Sequence, residues 1–236
     1  MDWRKIFTPQ GLLFTVLFLA MVMASNQLNF SSLLGKPNQF FTFFQFIGPL
    51  AGGFLGPIAG ALLVFAAQLV DAFLHGKALD LSTIGWLLPM VFASIYFGSR
   101  RNSSSRIISF AAILLFLLHP VGRTAWFYSL YWFIPVLCWL FRKHLFARSL
   151  GATFTAHAIG GALWVWTVPM TTEQWMALIP IVAYERLLFA AGISVSYIAL
   201  NTLLSKAASL LPYDLVEVNP KYVLSREMLG KTFGMG

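Results

Sequence analysis

The chain has 236 residues, 58% of them hydrophobic and 10% charged, against about 25% charged in an ordinary soluble domain. That much apolar surface argues against a water-soluble fold, and at about 20 residues per helical crossing the length allows at most about eight to ten spans. The net charge of +8 would suggest nucleic acid in a soluble protein, but the positive residues sit in short loops between apolar runs, where they orient membrane proteins, so no nucleic-acid partner is expected.

In chain order, apolar stretches run over Gly11–Ala24, Phe40–Leu50, Gly56–Leu74, Ile84–Gly98, Ile107–Leu118, Trp126–Phe141, Ala152–Val168 and Leu178–Leu204. Several are short for a full crossing, and two neighbouring pairs are open to being joined or re-entrant. With the N terminus inside and each stretch crossing once, the cytoplasm receives Arg4 and Lys5, then Arg100, Arg101 and Arg106, then Arg142, Lys143 and Arg148, and last Lys206 with the tail. The outer loops keep Lys36, Lys77 and Arg123. This asymmetry satisfies the positive-inside rule, and only an even number of crossings preserves it. The expected fold is all-α: a polytopic transmembrane bundle at the cell membrane, six helices with up to eight hydrophobic segments, both termini cytoplasmic.

The first stretch has a second reading, because Arg4, Lys5, a short apolar core and Val22-Met23-Ala24 also fit a cleavable signal peptide. Asn29-Phe30-Ser31 fits a glycosylation acceptor. The bundle is expected over residues 1–210, and residues 211–236, polar and containing Pro212 and Pro220, form a loosely ordered cytoplasmic tail.

Three regions carry unusual side chains. Gly48, Gly52, Gly56 and Gly60 are spaced by four, which on one helix makes a smooth face for close packing, while Pro49, Pro57 and Gly52-Gly53 make a broken segment an alternative. Downstream on about the same face come Val64, Gln68 and Asp71, and a carboxylate near the membrane needs a partner, water or solute. Next, His119-Pro120-Val121-Gly122-Arg123 leads into Trp126, Tyr128, Tyr131 and Trp132. Most of these rings fit an interfacial aromatic belt, whereas Arg123 and His119 offer donors to an anionic group. In the last run, Glu185 and Arg186 are adjacent and point about 100° apart, so each needs its own partner, either in a structural network that joins Glu185 to Arg123 or Arg186 to Asp71, or in a substrate. His157 lies among small residues and reads as an interhelical hydrogen bonder.

No His-Glu-x-x-His, Gly-x-Ser-x-Gly or Walker-type phosphate loop occurs, so the chain is not expected to be an enzyme, to hydrolyse nucleotide or to carry a cofactor or metal. Cys138 is the single cysteine and forms no internal disulfide.

Ala20-Met21-Val22-Met23-Ala24, with small residues four apart on the first helix, and the glycine-rich helix from Gly56 that ends in the carboxylate of Asp71 resemble the substrate-binding S components of energy-coupling factor vitamin transporters. The resemblance extends to overall length, small loops and basic cytoplasmic loops, over about two thirds of the chain. It implies a membrane-embedded subunit that captures a small solute such as a vitamin and docks, through Ala20 and Ala24, on a transmembrane coupling subunit served by ATPase subunits. Solute-binding candidates at the outer half are Gln45, Gln68, Asp71, Arg123, Trp126, Tyr128, Glu185 and Arg186. Two other readings stay open. A membrane enzyme acting on lipid or peptide would bring His119, His157, Asp71 or Glu185 to one depth, and a stand-alone secondary transporter or channel would use the interrupted second and third stretches as a half-helix site.

Overall fold

The computed structural model describes residues 9–32, 40–76, 81–99, 103–206, 216 and 218–224. Arg4, Lys5, Lys36, Lys77, Arg100 and Arg101 lie outside the described residues, as does most of the tail. The described chain is almost entirely helical: α1 (Pro9–Asn26), α2 (Phe44–Ile47), α3 (Leu50–Leu55), α4 (Pro57–Leu74), α5 (Leu81–Gly98), α6 (Ser103–Leu118), α7 (Pro120–Thr124), α8 (Ile134–Leu140), α9 (Leu145–Thr167) and α10 (Thr172–Lys206). A 3-10 segment, Trp126–Phe133, leads into α8. The small exception is an antiparallel pair, β1 (Asn29–Ser32) with β2 (Phe40–Thr42). Among the described residues, α4 and α10 are long and apolar enough to cross a membrane.

The glycine series does not form one helix. Gly56 adopts φ +84°, a left-handed conformation that glycine enters without a Cβ penalty, and the chain reverses there from α3 into α4, which starts on Pro57 at a position where a missing N–H costs nothing. The four-residue spacing instead serves a three-way contact. A Cβ on Gly60 would overlap the Ala51 and Gly52 backbone, one on Gly52 would overlap the Ser94 carbonyl, and one on Gly98 would overlap the Gly52 carbonyl. Helices α3, α4 and α5 thus touch backbone to backbone, which gives dispersion contacts that bulkier residues would forbid.

Helix α9 is central and packs on α5, α6, α8 and α10. Two apolar cores flank it. One gathers Phe54, Phe97, Ile193 and Tyr197 from α3, α5 and α10. The other gathers Phe116, Trp132, Phe154 and Trp175 from α6, the 3-10 segment, α9 and the start of α10.

Contacts between elements assign the helix ends. Arg148 Nε donates to Phe97 O at 2.7 Å, so the start of α9 meets the end of α5. Gln27 Nε2 donates to Asp71 Oδ1 at 3.2 Å, so the ends of α1 and α4 meet. Arg106, Arg142, Lys143, Arg148 and Lys206 therefore collect at one end, and Asp71, Glu173 and Glu185 toward the other.

Of the tail, residues 216 and 218–224 are described, and they pack against the bundle. Val216 is buried in the first core, with Val218 and Tyr222 against it. Asn201 is buried in α10, and its Oδ1 accepts from Asn219 N at 2.8 Å. Tyr222 Oη donates to Lys143 O at 3.3 Å, and Leu224 N to Thr202 Oγ1 at 3.0 Å. A few apolar residues placed among polar ones suffice to hold it, because the backbone donors find side-chain acceptors on α10. Asn201→Leu removes one of those acceptors and leaves the half-buried Asn219 N–H without its partner, so proteolysis after residue 206 is expected to accelerate several-fold, as seen by timed trypsin digestion, with the bundle left intact.

Candidate functional site

A cavity of about 630 Å³ opens at the end opposite the basic cluster. Its walls come from the end of α1, the β1–β2 pair, the last turns of α4, the first half of α5, the second half of α9 and the first half of α10. Both apolar cores contribute to it, Phe44 and Met90 from one and Trp164, Trp175 and Val182 from the other. A mostly apolar concavity with a few placed polar groups is the usual form of a small-molecule site.

Gln45, Gln68, Asp71, Tyr128, Glu185 and Arg186 all line this cavity. Arg123 and Trp126 do not: both are exposed, and Trp126 stacks on Phe127 with ring centroids 3.7 Å apart. They belong to the short α7 and the start of the 3-10 segment, where the chain turns over the outside of the bundle, and only the inward side of that segment, at Tyr128 and Trp132, is buried.

The polar wall of α4 is tied to its neighbours. Gln68 Nε2 donates to Leu87 O of α5 at 2.9 Å. Asp71 is buried, accepts from Gln27 and lies 3.3 Å from His75 Nδ1. On α10, Arg186 is 3% exposed. The expected partnerships of Arg186 with Asp71 and of Glu185 with Arg123 are not formed; Arg186 Nη2 lies 3.5 Å from Glu185 Oε2. Adjacent Cβ atoms diverge, but both side chains are long enough to curl back across the helix surface, and neighbouring elements close off other routes. The guanidinium also sits 4.6 Å from the Phe189 ring centroid and 5.0 Å from that of Phe41, aromatic faces that favour a cation, and Nη1 donates weakly to Thr153 Oγ1 at 3.4 Å.

His157 occupies the α9 wall with both ring nitrogens engaged, Nε2 with Tyr128 Oη at 2.8 Å and Nδ1 with Trp132 Nε1 at 3.1 Å. Gly161, one turn on, makes room for this: a Cβ there would come within 2.7 Å of the Trp132 ring. No group of three or more His, Cys, Asp or Glu among the described residues could hold a metal ion.

Sequence reasoning left out Asn26, Gln27, Trp86, Trp164 and Trp175 as lining residues. The first two follow α1 at its polar end, where the run Ser25-Asn26-Gln27 is a visible break in apolar sequence. The tryptophans carry no such signal, since interfacial rings and cavity walls have the same composition.

The chain is similar to an uncharacterized protein of Methanocaldococcus jannaschii, 30% identical over 162 aligned residues covering 60% of this chain and 54% of the relative. This chain therefore spans about half the length of that curated relative. No family model matches the chain, and no solved structure matches it.

Proposed function

We propose that this chain is a multi-pass cell-membrane protein that captures a small solute, as the substrate-binding subunit of an ATP-driven importer. The observation that carries the reading is the position of the cavity: an aromatic and partly polar chamber opens at one end of the described helices, and Arg106, Arg142, Lys143, Arg148 and Lys206 collect at the opposite end. By the positive-inside rule the basic end faces the cytoplasm and the cavity faces outward. Outward-facing surfaces of the helices support the bilayer setting, with Phe73, Leu140, Ile107, Val195 and Ile58 all more than three-fifths exposed, a load of apolar surface that monomeric soluble proteins avoid. In this reading α1, α4, α5, α6, α9 and α10 are the six principal helices, and the broken arms α2–α3 and the 3-10 segment with α8 complete an even number of passages, with both termini on the basic side.

Ala20 and Ala24 are exposed on α1, one turn apart, and form the seam for a transmembrane coupling subunit, with ATPase subunits in trans supplying energy. The enzyme rival draws one point from the site, because His157, Asp71 and Glu185 share the cavity. An enzyme using His157 as a base needs a free ring nitrogen, and both nitrogens are occupied; His119 lies outside the cavity. For the half-helix transporter, α3 at the break is buried against α4 and α5 without lining the cavity, while Phe44 and Gln45 before it and Gln68 and Asp71 after it do line it. Ala24→Leu adds a bulky side chain to the seam and is expected to reduce coupled uptake at least about tenfold in cells without changing solute binding to the purified chain. Loss of binding, or uptake at the original rate, counts against the assignment.

A further inference from the structure

Helices α6 and α8 carry an exposed apolar strip with a group of cations at one end. The two helices pack side by side, with the rings of Phe110 and Phe133 edge to face at 5.8 Å. They run in opposite directions, since α6 begins at the basic end and α8 finishes there. Ile107, Phe110 and Leu114 on α6 are exposed, as are Leu137, Leu140 and Phe141 at the end of α8, with Ile107 at 68% and Leu140 at 70%. Residues three and four apart share a helix face, so each trio forms one stripe, and a strip this apolar takes hydrocarbon as its neighbour. At its end, Arg106 is exposed one turn beyond Phe110. Arg142 and Lys143 occupy the turn from α8 into α9. The Arg142 guanidinium lies 4.0 Å from the Trp139 ring centroid, and Tyr222 Oη holds the Lys143 carbonyl at 3.3 Å. A cation on an indole face at the end of an apolar helix is suited to the depth of lipid headgroups. Arg148, nearby, is committed elsewhere, with Nε on Phe97 O at 2.7 Å.

The charge at this end is not offset. Among the described residues the carboxylates, Asp71, Glu173 and Glu185, lie toward the other end. In the tail, Asp214, Glu217 and Glu227 are matched in number by Lys221, Arg226 and Lys231. We propose that Arg106, Arg142 and Lys143 bind the headgroup phosphate of an anionic phospholipid whose acyl chains lie along the α6–α8 strip. The acidic face of a protein would satisfy the cations but not the strip below them, whereas a phospholipid brings phosphate and hydrocarbon in that order of depth. The two guanidiniums match phosphate geometry, and the lysine adds a point charge. Each cation near an anionic lipid surface is worth about fivefold in affinity. This inference rests on the bilayer setting and not on solute capture.

The test places the full chain in nanodiscs of equal parts phosphatidylglycerol and phosphatidylcholine with matched acyl chains, and counts by native mass spectrometry the lipids that stay bound on release. Phosphatidylglycerol is expected to be retained at least about tenfold over phosphatidylcholine, and Arg142→Gln with Lys143→Gln is expected to remove most of that preference. Arg106→Gln is expected to lower it about fivefold and, being at an exposed position, keeps the test standing if the double variant disturbs the turn. Lys206→Gln is the control, because it removes one exposed cation from the same end but on α10 rather than α6 or α8; it is expected to change the preference less than about twofold, well below the worth of one cation at the site. Leu140→Asn, with every cation in place, is expected to weaken phosphatidylglycerol retention several-fold, as the loss of an apolar contact requires. Equal retention of the two lipids by the parent chain overturns the proposal. Equal losses from Lys206→Gln and Arg106→Gln also overturn it, since they show a diffuse positive field, and so does unchanged retention by Leu140→Asn, which leaves the acyl chains off the strip. Any of these results leaves solute capture standing, because solute that co-purifies is read separately by its mass in the same spectra.

Discussion

Gly52→Ala is expected to destabilise the bundle by about 3 kcal/mol or more, the upper part of the range for overpacking, and to move most of the purified protein into aggregate. The added methyl would overlap the Ser94 carbonyl and come within 2.7 Å of its carbon. Backbone cannot rotate away as a side chain can, so relief requires α3 and α5 to separate, and that separation also opens the contacts of Gly60 with α3 and of Gly98 with Gly52. Gly85→Ala is the matched control, because the nearest atom to its Cβ is Leu163 Cδ1 at 3.7 Å, an ordinary contact. Thermal unfolding followed by size-exclusion chromatography in detergent separates the two; equal behaviour of both variants would show that the three-helix contact is not holding the fold.

The second large effect falls on the Glu185–Arg186 pair. Arg186→Met leaves the Glu185 carboxylate, whose side chain is only 16% exposed, without its cation, and removal of one partner of a buried ion pair costs about 3–5 kcal/mol. Combining Arg186→Met with Glu185→Gln is expected to restore most of that loss, because the isolated charge is gone. The coupling between the two substitutions, measured by chemical or thermal unfolding of all four proteins, is the readout. Simple additivity would mean that the two groups do not stabilise each other at 3.5 Å. The double variant keeps its fold but loses the guanidinium from the cavity, so it also provides a folded protein with an altered solute site.

Helical class and element positions were legible because apolar run length and charged loops leave few alternatives, and Gly11–Ala24, Gly56–Leu74, Ile84–Gly98, Ile107–Leu118 and Leu178–Leu204 each overlap one helix. The gathering of polar residues in one cavity was only partly legible. Gln68 and Asp71 are three apart on one helix, and their shared face follows from helical geometry. The tie of Gln27 to Asp71 joins residues 44 apart, and that of Trp132 to His157 joins residues 25 apart; neither leaves a periodic trace. Helical periodicity also misled at two places. A spacing of four among glycines is the same whether they share one helix or line the contact between two, and Gly56 with its positive φ decides for the second. The 100° separation of adjacent side chains holds at Cβ but not at the tips of Glu185 and Arg186, where three or more rotatable bonds undo it. Arg123 and Trp126 face away from the cavity because the 3-10 turn over the bundle buries about every third residue, Ala125, Tyr128 and Trp132, and the composition of that turn does not say which positions these are.

The most direct test of the account is native mass spectrometry of the full chain released gently from its own membranes. The account predicts a complex in which this chain carries a small molecule and associates with a second membrane subunit and ATPase subunits, and the small molecule is lost when the cavity wall is altered at Arg186. A chain that emerges without solute and without partners, from membranes that still take up their solutes at full rate when it is deleted, would contradict it.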